Sequence, residues 1–242
     1  MNVALALALF FGALLYSSGG HGGASAYLAA MALFSVEPAL MKPAALLMNV
    51  LVASMSAVRF TRAGDVPLQK LRWLFLGSVP AAYAGGALKL SVSQYEWALG
   101  LSLAFAGTWL LLPIRPRLEQ RQPSTWVWVV FGIVMGVASG LTGIGGGIFL
   151  SPLLLLTGWE TPRRTAAAAS VFIVVNSVMG LIANVEGVKA LPAGVGVWAL
   201  CAGAGGLVGS YLAAHRLSPP NLRRVHGTVL WVASLKLLWN AR

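Results

Sequence analysis

Two apolar stretches of this chain are each interrupted by a run of glycines. The first run is Gly19-Gly20-His21-Gly22-Gly23, and the second, near mid-chain, is Gly143-Ile144-Gly145-Gly146-Gly147. Both stretches are apolar enough for a lipid bilayer, where backbone can leave a helix only if protein or a polar cavity satisfies its N–H and C=O groups. Paired breaks at matching places in two halves of a membrane chain are typical of a transporter's binding site.

Composition places the whole chain in a membrane. Hydrophobic residues make up 58% of the 242 residues, charged residues make up 10%, and the mean hydropathy is +0.79. A single soluble core of this length could not bury so much apolar surface, so we expect an all-α polytopic membrane protein. The net charge of +11 sits in short connections between apolar runs, without a nucleic-acid-binding motif. This distribution favours orientation in lipid over a nucleic-acid partner.

The two halves of the chain match segment by segment. The order of the matching residues and their nearly constant offset indicate an internal duplication. The matched pairs are Glu37 with Glu160, Asn49 with Ser170, Ser56 with Ser177, Asp65 with Glu186, Gly85-Gly86 with Gly205-Gly206, and Gly100 with Gly227. We therefore predict a first membrane repeat over residues 1–115, a cytoplasmic linker over residues 116–123 and a second membrane repeat over residues 124–242.

Each repeat is predicted to contain a re-entrant hairpin, formed by a broken helix, and three transmembrane helices. The pieces beside the breaks are mostly too short to cross a hydrocarbon core of about 30 Å, which needs about 20 helical residues. These hairpin arms are Asn2–Tyr16 with Ala24–Phe34, and Trp126–Ala138 with Ile148–Thr157. The predicted transmembrane helices are Pro43–Phe60, Trp73–Leu90, Tyr95–Leu112, Thr165–Ala183, Pro192–Ala213 and Leu222–Asn240.

Positive charge predicts the orientation of the repeats. Basic residues follow the first transmembrane helix, occupy the linker and join the last two helices, so the positive-inside rule places these connections in the cytoplasm. The loops around Lys89 and Glu186 are poor in positive charge and are predicted to lie outside. Equivalent loops of the two repeats then face opposite sides. We therefore predict inverted repeats in a bacterial cytoplasmic (inner) membrane, with both chain termini outside.

The second break and its surroundings resemble a known family. Gly143-Ile144-Gly145-Gly146-Gly147 with Ser151-Pro152, followed by Ala166-Ala167-Ala168-Ala169-Ser170, is similar to the repeat signature of the TauE/SafE sulfite-exporter family, also called the TSUP transporters. The first half resembles the same signature less closely, since Ala29 stands where Pro152 would align. The resemblance covers nearly the whole chain. It implies export, or in some members uptake, of sulfite, sulfonates or related small sulfur anions.

The residue chemistry at the breaks is suited to an anion. A half-helix that begins inside the membrane points unpaired N–H groups and the positive end of its dipole at the cavity. Hydroxyl and amide side chains nearby could complete a shell around the anion's oxygens. The alternative is that these small residues only allow close helix packing, which is the role we expect for Gly85-Gly86 and Gly205-Gly206. The predicted substrate-binding residues are Gly20, His21, Gly22, Gly23, Ser25, Asn49, Thr142, Gly143, Gly145, Gly146, Gly147 and Ser170.

Three ionisable residues need separate interpretation. His21 could carry a coupling proton or bind the anion as imidazolium. It could equally be a hydrogen-bonded structural residue, because Ile144 occupies its place in the second repeat. Glu37 and Glu160 are predicted to lie at hairpin ends in the headgroup region and to pair with Lys42 and with Arg163 or Arg164.

No motif of the chain indicates catalysis, a metal ion or a cofactor. Neither glycine run continues into a phosphate-binding Lys-Ser/Thr pair, and neither follows a strand. We therefore predict a secondary transporter that exports small sulfur-containing anions through a site between the two hairpins. Import or passive conduction of a small anion, and a membrane scaffold that moves no solute, remain as alternatives. The sequence leaves the coupling ion open, with a proton as one candidate.

Overall fold

The computed structural model describes residues 3–18, 22–112, 123–213 and 220–242. These residues form eleven helices and no strand. The helices are α1 Val3–Ser18, α2 Ala24–Leu33, α3 Pro38–Arg62, α4 Leu68–Ala87, α5 Val92–Leu111, α6 Thr125–Thr142, α7 Gly147–Thr157, α8 Pro162–Ala183, α9 Val185–Lys189, α10 Gly194–Ala213 and α11 Pro220–Asn240. The predicted all-α architecture is confirmed.

The helices separate into long and short ones as hydropathy predicts, with one exception. α6, predicted as a short hairpin arm over Trp126–Ala138, extends over 18 residues from Thr125 to Thr142. α3, α6, α8 and α10 are both long and apolar enough to cross a membrane. α4, α5 and α11 have 20 or 21 residues, which is the length a bilayer needs although their composition is less apolar. The helices that border the breaks include the shorter α1, α2 and α7, of 16, 10 and 11 residues. The five-residue helix α9 was not predicted from the sequence.

α3 begins five residues earlier than its apolar pattern predicts. Pro38 occupies the first turn, where a missing N–H group costs nothing, and Glu37 precedes it as the N-cap. The additional turn contains Lys42, immediately before Pro43 inside the helix. This basic residue therefore lies within the helix, away from the connection where the sequence placed it.

The helices of the two halves pack in reciprocal pairs. α4 packs against α6 and α1 packs against α10, which are the pairings that exchange of the two repeats would produce. α3 packs against α8, and α5 against α11, so these equivalent helices pair with each other. The pattern is what a two-fold relation between the repeats requires.

Small residues allow the α4–α6 and α1–α10 pairs to approach closely. A side chain added at Gly132 or Gly140 of α6 would collide with the carbonyl oxygens of Leu74 or Ala82 on α4. At Gly205 of α10 it would collide with the carbonyl oxygen of Phe10 on α1. Close backbone approach of this kind replaces the hydrophobic driving force that helices lack in lipid. These contacts agree with the packing role predicted for the paired glycines.

α3 and α8 run antiparallel where they cross at the centre of the protein. Asn49 of α3 bonds Ser177 of α8 at 3.4 Å, whereas Asp65, beyond the end of α3, pairs at 2.9 Å with Arg163 in the first turn of α8. Equivalent helices of inverted repeats must run in opposite directions. The orientation of the repeats in a membrane stays a prediction, which labelling from the two sides can test.

We expect single cysteines in a Cys201→Ser background to be labelled from opposite sides of the membrane. Ala63→Cys, in the exposed connection after α3, should react only with reagent in the cytoplasm. Ala190→Cys, in the exposed connection after α9, should react only from outside. The measurement is modification by a membrane-impermeant maleimide in sealed vesicles of known orientation, with full labelling after detergent as the control. Reaction of both thiols from one side would contradict the inverted topology.

Candidate functional site

The second break consists of glycines in a backbone conformation that other residues rarely adopt. α6 ends at Thr142, and Gly143, Gly145 and Gly146 follow with φ angles of 82°, 81° and 80°. The left-handed region costs an L-residue about 1–2 kcal/mol, because its Cβ approaches the carbonyl oxygen. α7 begins at Gly147 without a side-chain cap. The N–H groups of its first turn therefore point out of the helix without the bond that a cap would supply.

The first break is described only in part. Gly19, Gly20 and His21 lie outside the described residues, so the roles predicted for Gly20 and His21 stay predictions. α2 begins at Ala24 after Gly23, which forms no side-chain cap either. A side chain at Gly23 would overlap the Tyr27 ring. The glycine therefore lets this tyrosine lie directly against the start of the helix.

The two breaks border one small cavity. Its volume is about 20 Å³, which is room for about one water molecule. The first break contributes Gly22, and the first turn of α2 contributes Ala24 and Ser25. The second break contributes Ile144, and the start of α7 contributes Ile148. Tyr16 and Ile173 complete the lining. The described part of the lining contains no charged side chain.

Asn49 lies between the two breaks. Its Nδ2 donates to the Gly143 carbonyl and to Ser177 Oγ, both at 3.4 Å. Its Oδ1 is buried and has no hydrogen-bond partner among the described residues. A Cβ added at Gly22 would lie 3.4 Å from this oxygen, and one at Gly145 would lie 2.9 Å from Nδ2. The amide is therefore adjacent to backbone of both breaks and has spare hydrogen-bonding capacity.

The predicted hydroxyl residues differ in what they contact. Ser25 Oγ donates to the Tyr16 hydroxyl at 2.7 Å beside the small cavity. Thr142 Oγ1 donates to the Ala138 carbonyl and accepts the Ile144 N–H at 3.3 Å, which ties the break to the end of α6. Ser170 Oγ donates to the carbonyl of Ala167 in its own helix.

Of the remaining predicted glycines, Gly146 and Gly147 pack tightly against α8. A Cβ at Gly146 would lie 2.6 Å from Phe172 Cε1, and one at Gly147 would overlap Ile173. The structure therefore brings Gly22, Ser25, Asn49, Gly143 and Gly145 together near the small cavity. Gly146 and Gly147 hold the second break against its neighbour.

Sequence reasoning missed Tyr16, Ile173 and Ser177 as parts of this region. The pairing of Ser177 with Ser56 between the repeats was a signal for the serine, since it placed both at the same depth of α3 and α8. Tyr16 and Ile173 carried no comparable signal. Tyr16 ends an apolar run, and Ile173 is one of several aliphatic residues of α8. Only the crossing of the helices identifies them.

The ion pair predicted between Glu37 and Lys42 is wrong. Lys42 Nζ donates to the carbonyls of Gly86 at 2.8 Å and Gly85 at 3.5 Å, near the end of α4. Glu37 is exposed and forms no ion pair among the described residues. Because α3 begins at Pro38, the glutamate lies outside the helix while the lysine lies more than one turn within it.

The expectation for Glu160 is confirmed in one of its two forms. Arg164 Nε lies 3.7 Å from Glu160 Oε2, whereas Arg163 pairs with Asp65. The closest cation to the glutamate is Lys70 of α4, at 2.7 Å, which the sequence did not suggest. The carboxylate is almost fully buried, with 1% of its side chain exposed, whereas Lys70 is partly exposed, so the pair joins the start of α4 to the segment before α8.

Comparison with known proteins identifies the class of this chain. The family described as "Sulfite exporter TauE/SafE" matches residues 5–237. The chain belongs to the TauE/SafE family. It is therefore a multi-pass membrane protein of a transporter family, and the predicted family resemblance is confirmed. No solved structure gives a significant match.

Relatives of this TauE/SafE protein carry transporter names. "Probable membrane transporter protein y4hK" of Sinorhizobium fredii is 34% identical over 98% of both chains. "Probable membrane transporter protein YjnA" of Bacillus subtilis is 25% identical, covering 98% of this chain and 100% of its own length. A third, "Probable membrane transporter protein MJ0441" of Methanocaldococcus jannaschii, is 35% identical over 29% of this chain and 28% of its own.

The geometry predicts different outcomes for alanine at the two breaks. Gly146→Ala should lower the free energy of unfolding by about 2 kcal/mol or more, because it combines a left-handed backbone with overpacking against Phe172. Gly22 has no positive φ, and its Cβ would meet only side-chain atoms, the nearest being Ile173 Cγ2 at 3.1 Å. Gly22→Ala should therefore stay folded. Thermal unfolding in detergent measures both, and equal melting temperatures would contradict the assigned geometry.

Proposed function

We propose that this protein is a secondary transporter that exports small sulfur-containing anions, of the sulfite or sulfonate class, through the site at the two helix breaks. The observation that carries the proposal is the meeting of two uncapped helix N-termini, those of α2 and α7, at one cavity beside Asn49. Free N–H groups and the positive ends of two helix dipoles favour an anion. Such anions carry their oxygens in a pyramidal or tetrahedral arrangement around sulfur. This arrangement suits donors that converge from several directions.

The described lining of the small cavity contains no acidic side chain, which supports an anion over a cation. Cation pathways through membranes are marked by acidic side chains that face the path. The polar groups of the described lining are instead backbone, a serine and a tyrosine, beside three isoleucines. Backbone donors hold an oxyanion without a fixed positive charge, which favours release as well as binding.

The two ends of the protein differ in a way that favours a carrier over a channel. At the end where α4 and α8 terminate, a cavity of about 500 Å³ opens, which we call the lysine cavity because Lys42 and Lys89 line it. At the opposite end, partly exposed Lys70 pairs with the buried carboxylate of Glu160 and joins α4 to the segment before α8. A site between an open cavity and a closed end is expected for one state of an alternating-access transporter. A channel needs a continuous path, and a scaffold needs no uncapped helix ends at depth.

The proposal also includes the membrane in which the protein lies and the direction in which it moves its substrate. We place the protein in the bacterial cytoplasmic membrane, with the lysine cavity and both termini outside, because the loops at that cavity are poor in positive charge. Substrate would enter from the cytoplasm in the alternate state and leave through the lysine cavity. Uptake along the same route is the alternative.

Flux measurements test the proposal directly. Proteoliposomes should transport sulfite, thiosulfate or sulfoacetate faster than sulfate or chloride. Gly22→Ala should reduce this flux by about tenfold or more, since it places a methyl group 3.4 Å from Asn49 Oδ1 where anion and backbone meet. The control is Gly203→Ala on α10, whose Cβ meets a side-chain terminus, Leu51 Cδ2, at a similar 3.0 Å away from the breaks. Equal flux in the two variants would remove the breaks from the transport route.

His21 gives a separate test of proton coupling. If it carries the coupling proton, His21→Gln should abolish the dependence of flux on a pH gradient while leaving downhill anion exchange, because glutamine keeps a hydrogen-bonding group but does not titrate. The readout is anion flux in proteoliposomes with and without an imposed gradient. Unchanged gradient-driven flux in the variant would assign His21 a structural role and leave the coupling ion to be found elsewhere.

A further inference from the structure

Lys42 is a buried cation on the wall of the lysine cavity. Only 9% of the residue is exposed, and no carboxylate of the described residues lies within ion-pair distance of its Nζ. The other charges that line the cavity, Lys89 and Glu186, pair with each other at 3.0 Å and are largely exposed. The cavity therefore contains one positive charge that no described carboxylate balances.

The hydrogen bonds of Lys42 leave room for a further ligand. Its ammonium group has three donors, and its acceptors among the described residues are the carbonyls of Gly86 and Gly85. These bonds satisfy the last turn of α4 and place the cation at the negative end of that helix dipole. Carbonyls orient the ammonium but do not neutralise it. A buried cation is costly without a counter-ion, so an anion in the cavity would complete the site.

Lys42 also lies directly against the second break. A Cβ at Gly143 would lie 3.1 Å from the Lys42 carbonyl oxygen and 3.4 Å from its Cγ. Tyr95, which lines the same cavity, donates its hydroxyl to the Thr142 carbonyl at 3.2 Å. On the far side, the Gly143 carbonyl accepts the bond from Asn49. Thr142 and Gly143 thus contact residues that line the lysine cavity on one side, and Gly143 contacts Asn49 on the other.

We propose that Lys42 forms a second binding site, in the lysine cavity, for a small sulfonate-type or sulfate-type oxyanion. The ammonium supplies the charge and one donor, and the cavity supplies the space that the breaks lack in this state. The site's place on a transport route rests on the proposed function. The binding itself does not, and can be measured in detergent without transport.

The test uses a thiol at position 39, one turn before Lys42 on the cavity wall. Ala39→Cys in a Cys201→Ser background is exposed to reagent. We expect ethanesulfonate, which does not react with thiols, to slow its modification by sulfonatoethyl methanethiosulfonate in purified protein. Lys42→Gln keeps a donor for the Gly86 carbonyl but removes the charge. It should raise the ethanesulfonate concentration for half-protection by about tenfold, the effect of one charge-assisted hydrogen bond.

Two controls separate binding from general effects. Lys189→Gln removes an exposed lysine that does not line the cavity, and protection at position 39 should persist in it. A thiol at Ala190→Cys, outside the cavity, should not be protected by ethanesulfonate. These comparisons remain valid even if Lys42→Gln folds poorly, because they use chains that keep Lys42. Such chains must show protection of the thiol at position 39 and none of the thiol at position 190.

The outcomes distinguish this site from the proposed function. No protection at position 39, or equal protection in Lys42→Gln and its parent, overturns the second site and leaves Lys42 as a helix cap. Protection without oxyanion flux in proteoliposomes supports the site and rejects the transport proposal. Oxyanion flux without protection at position 39 rejects the second site and supports the transport proposal. Flux with protection, and a raised KM in Lys42→Gln but not in Lys189→Gln, supports the site as a stage on the route.

Discussion

The structure depends on how backbone is satisfied where a helix breaks inside an apolar protein. An unpaired N–H or C=O group in hydrocarbon costs several kcal/mol, so the second break can exist only with partners supplied by its neighbours. The Gly143 carbonyl accepts the Asn49 amide, and the Ile144 N–H donates to Thr142 Oγ1. These two bonds satisfy backbone groups of Gly143 and Ile144 at the α6 side of the break. The first turn of α7 has no side-chain cap, and its Ile148 lines the small cavity, which is why the proposed function places an anion there.

The glycine-lined helix pairs provide the frame for these breaks. α6 leads into the second break and packs backbone-to-backbone on α4, whose last carbonyls in turn hold Lys42. The same surface of small residues therefore fixes both the end of α6 and the cation of the lysine cavity. In lipid this close packing replaces the hydrophobic drive that would assemble a soluble bundle. The helix packing and the lysine cavity therefore depend on the same α4 contacts. A displacement of α4 would disturb both.

Hydropathy and glycine placement predicted the helices well because both act locally. A run of about 20 apolar residues has few alternatives to a transmembrane helix. Glycines in left-handed positions, such as Gly143 after α6 and Gly158 after α7, end helices regardless of their neighbours. The partners of charges could not be predicted in this way. Glu37 and Lys42 are five residues apart in sequence, yet the helix start at Pro38 separates them and places the lysine against α4, 43 and 44 residues away.

The site was predicted in outline for the same reason. The matched breaks predicted that Gly22 and Gly145 lie near each other and that Asn49 lies nearby, and the structure places the Asn49 amide next to both glycines. The repeat could not show that Ser170, the counterpart of Asn49, would bond its own helix instead. A serine hydroxyl reaches the carbonyl three or four residues back, whereas a longer amide extends beyond the helix surface. The asymmetry of the site thus follows from side-chain length at one matched position.

In the alternating-access cycle proposed above, the Lys70–Glu160 pair, whose carboxylate is buried, would have to separate. Water would then solvate both groups. A buried ion pair gains little net free energy over its solvated parts, because desolvation offsets most of its Coulomb attraction. It is therefore suited to a closure that opens at modest cost, unlike an apolar contact of the same area. The Arg163–Asp65 pair beside it is more exposed and adds less. In that proposed cycle, closure of the other end would narrow the lysine cavity and with it the space beside Lys42 in which we propose that an anion binds.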